Sequence, residues 1–245
     1  MKRLYDKSNI IFSIVLIVIY CVTLSIGDSV SSLIGIEKII SLFIALLFSL
    51  IIIIFIYKYK LKEEYGLCNI KVSYKKVLYF IPLLILMSTN LWYGVTMNLS
   101  IHETIIYILT MLCVGFLEEI IFRGFLFNAM KKDNLKVAIV VSSITFGIGH
   151  IINLINGSGA DLINNLLQVV YATSAGFMFV MIYYKTNSLI PSIITHGIFN
   201  ALSVFSKEIT SIEMNILSCV IITLITGLYA LYLLFSIKKE SIETN

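Results

Sequence analysis

Charge is what this sequence has least of. Asp, Glu, Lys and Arg make up 13% of the 245 residues, about half of the ~25% usual in soluble domains. Proline occurs only twice, so few positions oblige a helix to break. The four cysteines, Cys21, Cys68, Cys113 and Cys219, are far apart. That spacing argues against a disulfide framework or a zinc knuckle, and buried thiols are the plain reading. Histidine occurs three times, so any chemistry that needs imidazole has few candidates. Internal repeats and low-complexity tracts are lacking as well.

What fills the chain instead is apolar. Hydrophobic residues are 59% of it, and the mean hydropathy is +0.98. A membrane-spanning helix needs about 20 mainly apolar residues. Candidate spans lie near 10–26, 39–57, 77–93, 104–128, 137–152, 162–184, 189–205 and 213–236. The expected fold class is therefore all-α, a polytopic membrane protein of about eight transmembrane helices, with 137–152 and 189–205 flanked by interfacial residues. Residues 1–245 read as a single transmembrane domain with no room for a separate soluble one.

Lysine and arginine test that count. Lys2, Arg3 and Lys7 precede the first span, and Lys58, Lys60, Lys62, Lys71, Lys75 and Lys76 follow the second. Lys131, Lys132, Lys136, Lys185, Lys238 and Lys239 fall in later loops and the tail on the same side. Only Lys38 and Lys207 fall on the other side, and Arg123 lies within a span. Cytoplasmic loops carry the excess of Lys and Arg, so both termini are expected in the cytoplasm. The net charge of +4 is then a topology signal, not a nucleic-acid patch. The first span has a basic start, an apolar run from Ile10 to Leu24, and Ser25 and Gly27 at signal-peptide spacing. That run is at the long limit for a cleaved signal, and a retained span is the reading adopted.

One span breaks the apolar pattern. Glu118, Glu119 and Arg123 stand in the stretch 104–128. A charge at mid-bilayer costs at least about 2.5–3.5 kcal/mol, and such residues usually face a bundle interior and mark function. Glu119 and Arg123 are four apart, acid first, and can pair along the helix. That leaves Glu118 without an in-helix partner, about 100° around. Phe146 and His150 share a face at the same spacing, as do His196 and Asn200. At 1.5 Å rise per residue, Glu118, His150, His196 and Asn200 lie about 17–23 Å from the nearest basic loop residue. Four polar residues from three helices thus fall in one layer. His102 stands in the outer loop, away from it.

The ordered motifs Glu118-Glu119-x-x-x-Arg123, Phe146-x-x-x-His150 and His196-x-x-x-Asn200 resemble those of the CPBP family. These are the CAAX proteases and bacteriocin-processing enzymes, also called Abi, which are intramembrane endopeptidases. The resemblance covers about 104–205, the expected catalytic core. It implies an eight-helix bundle with the site inside the bilayer and open to the cytosolic side. It also implies roles: Glu118 as water-activating base, His150 and His196 as site histidines, Asn200 as oxyanion donor. Glu119 is expected among the catalytic residues too, its pair with Arg123 steadying Glu118, and Arg123 and Phe146 are expected in support.

The residues themselves suit peptide hydrolysis, which needs an activated water, an oxyanion stabiliser and an acid for the leaving amine. No Ser or Cys stands in a motif as nucleophile. Ser142, Ser143 and Ser192 neighbour the histidines, but serine is common glue between membrane helices. The cofactor stays open between zinc on His150, His196 and Glu118, a legitimate donor set, and a glutamate-activated water with no metal. The expected partners are the lipid bilayer and a peptide or protein substrate reached from the membrane or cytosolic side, with no nucleic acid. The Ile-, Lys- and Asn-rich composition points to a bacterial plasma membrane. Two other classes compete: a non-catalytic bacteriocin-immunity or binding protein on the same scaffold, and a proton-coupled transporter. Transporters show paired halves with broken helices, and no such halves are visible.

Overall fold

The structure is a computed structural model that describes residues 1–68, 80–156, 161–209 and 211–243, the side chains of 236–243 excepted. It is all-helical among those residues. A short helix, α1 (Lys2–Lys7), leads into α2 (Asn9–Ile34) and α3 (Ile39–Lys58). Then come α4 (Ile81–Ser88), α5 (Ile101–Glu118), a π-helical segment (Glu119–Phe127) and α6 (Asn128–Lys131). The last four are α7 (Leu135–Gly149), α8 (Leu162–Thr186), α9 (Ile190–Leu202) and α10 (Ile212–Glu243).

Among the described residues, six continuous helices are long and apolar enough to cross a membrane, and Ile81–Leu91 and Ile190–Phe205 are shorter apolar ones. Each expected span has its helix, although 77–79 of the third lie outside the described residues. Several boundaries differ from expectation, among them that of the last helix, which runs on to Glu243. The first span runs on to Ile34 because its polar residues bond within the bundle: Ser31 donates to the Gly27 carbonyl, and Asp28 takes Ser41 and Lys38. It stops where Gly35 adopts the left-handed conformation that suits glycine. His102, expected in a loop, sits exposed in the first turn of α5.

Short polar residues start the helices. The side chains of Ser8, Ser100, Asn134 and Asp161 accept from backbone N–H groups in the first turns of α2, α5, α7 and α8. These bonds satisfy donors that a helix start leaves without partners.

The bundle has two distinct ends. At one, Lys132 pairs with Glu64 at 3.8 Å, and the Asn128 amide donates to the Tyr183 hydroxyl at 2.6 Å. Tyr5 and Tyr65 meet there through their hydroxyls at 2.6 Å. Burial pushes both phenols up, so this pair stays neutral. At the other end, Lys38 pairs with Asp28 at 2.9 Å, Asn98 donates to the Val204 carbonyl, and Asn215 bonds Asn164. Lys2, Lys58, Lys62, Lys131 and Lys132 stand at the first end, and Lys38 and Lys207 at the second.

Two buried clusters fill the interior. One joins α2, α3, α5, the π-helical segment and α7 around Phe12, Phe55, Phe122 and Phe125. The other joins α4, α8 and α10 around Met178, Phe179 and Leu233. The contact that sets the site is between α5 and α9. A Cβ on Gly115 would lie 2.6 Å from the Gly197 backbone, so only glycine lets the two backbones come this close. That approach puts His196 beside the turn that carries Glu118 and Glu119.

Gly115→Ala should therefore force the helices apart and lower both the yield and the melting temperature of detergent-purified protein. A Cβ on Gly149 meets nothing within 4 Å, and Gly149→Ala should leave stability unchanged or slightly higher. Equal melting temperatures for the two variants would count against the close crossing.

Candidate active site

The site is built where the rod from Ile101 to Lys131 changes its winding. Glu118 ends the α-helical part and Glu119 opens the π-helical part, all nine residues of which are buried. π-Helical turns are rare and frequent at functional sites. Arg123 donates to Glu119 Oε1 at 3.0 Å, and both side chains are fully buried. The expected pair along the helix is present.

His196, on α9, sits between the two carboxylates. Its Nδ1 lies 3.0 Å from Glu119 Oε1, and its Nε2 lies 3.3 Å from Glu118 Oε2. The Nδ1 contact is a hydrogen bond, whereas Glu118 Oε2 has no hydrogen-bond partner among the described residues. Pairing of Glu119 with Arg123 and His196 makes a buried carboxylate tolerable in an apolar interior.

Aromatic rings clamp the network. The Arg123 guanidinium lies 4.1 Å from the Phe146 ring centroid and 5.5 Å from that of Phe179. Its Nε and Nη2 lack a hydrogen-bond acceptor among the described residues, and the ring faces take their place. Phe179 stacks on His196 at 5.5 Å and 24°, and Phe146 meets His196 and His150 edge-on.

A cavity of about 320 Å³ lies against this cluster. Glu118, His150, Asn200, Phe146 and Tyr20 all line it. His196 lines a smaller adjoining cavity of about 40 Å³ that shares His150 and Asn200. Glu119 and Arg123 line neither. Four residues expected in one layer are thus together, with His196 buried behind Glu118. His150 opens a 3₁₀ turn at the end of α7, and its carbonyl is held by the Asn165 amide at 2.8 Å. The serines near the histidines are not part of a nucleophile pair. Ser142 donates to the Phe122 carbonyl and Ser143 to that of Ile139.

Tyr20 is the residue sequence reasoning missed. Its hydroxyl donates to Glu118 Oε1 at 2.8 Å from α2, 98 residues away. A tyrosine in an apolar span has no local signal that separates it from a packing residue.

A zinc ion on Glu118, His150 and His196 would need donors at about 2.0–2.2 Å from one point. Among the described residues, no three His, Cys, Asp or Glu side chains converge to hold a metal ion. Glu118, His150 and His196, the donor set that a metal would use, do not converge on one point in this arrangement.

Residues 100–202 match a family model described as type II CAAX prenyl endopeptidase Rce1-like. The match agrees with the CPBP resemblance of the three motifs, and the family is one of proteases. No curated protein matches the chain significantly.

Removing one partner of a buried ion pair typically costs about 3–5 kcal/mol. Arg123→Ala should therefore lower the melting temperature and folded yield markedly. A normal melting curve would mean that the pair carries no structural weight. Tyr20→Phe removes one bond to a charged group, worth about 1.5–3 kcal/mol. It should leave the bundle folded but loosen Glu118.

Proposed function

We propose that this protein is an intramembrane endopeptidase in which Glu118 activates water for attack on a peptide bond. The observation that carries this reading is the shared cavity. A carboxylate, an imidazole and a carboxamide from three helices face one space inside the bundle, and a site for water-driven acyl cleavage needs those three functions.

Glu118 takes a proton from a water in the cavity as the oxygen attacks the carbonyl carbon. The carbonyl π bond opens to an oxyanion. The Asn200 carboxamide and the His150 ring donate to that oxygen. Collapse breaks the C–N bond, and Glu118 returns its proton to the leaving amine. Glu119, His196 and Arg123 do not meet substrate. They fix the second carboxylate and hold Glu118 in place, with Tyr20 on its other oxygen. Burial lets these fixed dipoles act with little screening.

The substrate is a peptide or membrane-associated protein. The family match is to prenyl endopeptidases, but a bacterial source suggested by the composition favours a peptide precursor over a prenylated protein. Processing of the CAAX-protease type is the reaction class proposed.

Glu118→Gln keeps size and hydrogen bonding but removes the proton acceptor. Cleavage of candidate peptides by detergent-purified protein, followed by mass spectrometry, should fall by about 10²–10⁴ while folding persists. Asn200→Ala should raise the barrier by about 2.7–4 kcal/mol, and His102→Ala should be silent. A chelator should leave activity intact; loss restored by zinc would overturn the metal-free chemistry. Full biological activity in Glu118→Gln, such as undiminished toxin immunity, would replace catalysis with the binding reading.

A further inference from the structure

From Glu118 and Phe122 the cavity extends toward one end of the bundle. Along α2 its wall runs from Tyr20 through Ser25 to Asp28, about 12 Å at 1.5 Å per residue. Along α5 it runs from Glu118 back to Tyr107. Beyond α7 it continues to Asn153 and Asn156. Every wall leads to the end of the bundle that holds Asp28 and Lys38.

The opposite direction is packed. All residues from Glu119 to Phe127 are buried. Phe125 meets Phe12 edge-on at 5.3 Å and Tyr65 at 4.6 Å, and Phe12 stacks on Phe55 at 5.4 Å. This aromatic layer separates the site from the end that carries Lys131 and Lys132. Access from that end would require the layer to come apart.

The far end of the cavity is polar. Lys38 pairs with Asp28 at 2.9 Å, and both side chains are 15% exposed. The Asn156 amide reaches Asp28 at 3.4 Å, and the Asn153 amide donates to Gln168 at 3.0 Å. A carboxylate, an ammonium and three carboxamides match the donors and acceptors of a peptide backbone. They would leave a hydrocarbon chain facing polar groups stripped of water, which is unfavourable.

The lysine asymmetry identifies that end. Among the described residues, Lys2, Lys58, Lys62, Lys131 and Lys132 gather at the packed end, and Lys38 and Lys207 at the cavity end. Positive loops face the cytoplasm. We infer that the cavity is loaded from the non-cytoplasmic face and takes a polar peptide segment presented at the outer surface of the membrane. This replaces the cytosolic access that the family resemblance implies. Calling the occupant a substrate rests on Glu118 as base; the side of entry does not.

Thiol labelling tests it. In a background carrying Cys21→Ser, Cys68→Ser, Cys113→Ala and Cys219→Ala, Ser25→Cys probes the α2 wall and Gln168→Cys the α8 wall. Intact cells are treated with a membrane-impermeant maleimide, with detergent-solubilised protein setting the maximum. Lys207→Cys reports the cavity end and Lys132→Cys the packed end, both from exposed positions. Ser25→Cys and Gln168→Cys should react in intact cells as Lys207→Cys does, and Lys132→Cys only after permeabilisation. Both wall positions silent while Lys207→Cys reacts would overturn entry from this face. Lys132→Cys reacting in intact cells would overturn the orientation. Adding Glu118→Gln should leave labelling unchanged. If labelling persists but Glu118→Gln retains full peptide cleavage, the entry route stands and the hydrolytic reading falls.

Discussion

The site depends on one buried ion pair, Glu119 with Arg123, to which His196 is joined. Two carboxylates, a guanidinium and an imidazole meet inside an apolar bundle, where an unbalanced charge would be expelled or neutralised. His196 contacts both Glu118 and Glu119 and so ties α9 to the rod from α5 to α6. Tyr20 takes the other oxygen of Glu118.

Such a network demands close backbones. An imidazole reaches two neighbouring carboxylates only when its helix lies unusually near theirs. Gly115 against Gly197 provides that approach, since in a membrane small residues permit close packing where the hydrophobic effect supplies no drive. The π-helical winding after Glu118 and the aromatic clamp of Phe146 and Phe179 hold the charges where they meet. The same packing that stabilises the ion pair seals the bundle toward its lysine-rich end. Stability and direction of access therefore share one cause.

Much of this was legible beforehand because the bilayer restricts the choices. A chain so poor in charge must form spanning helices, and span length alone located the six long apolar helices and the two shorter ones. Glu119 with Arg123 follows from helical spacing, as does Phe146 with His150. Depth arithmetic placed Glu118, His150, His196 and Asn200 in one layer, since rise per residue is fixed in a helix. The boundaries at Ile34 and Ile101 were missed because polar helix ends bond to other helices and so carry no hydropathy signal.

Periodicity fixes which residues share a face and a depth, so the sequence by itself determined the helical class, the layer and the identity of the polar residues. It did not determine which neighbour each face meets. That Tyr20 serves Glu118 across 98 positions, that His196 turns both nitrogens to carboxylates, and that the cavity extends toward one end were decided by the tertiary structure. Helix rotation and crossing are set by the fit of side chains between distant segments, and no local pattern encodes that fit.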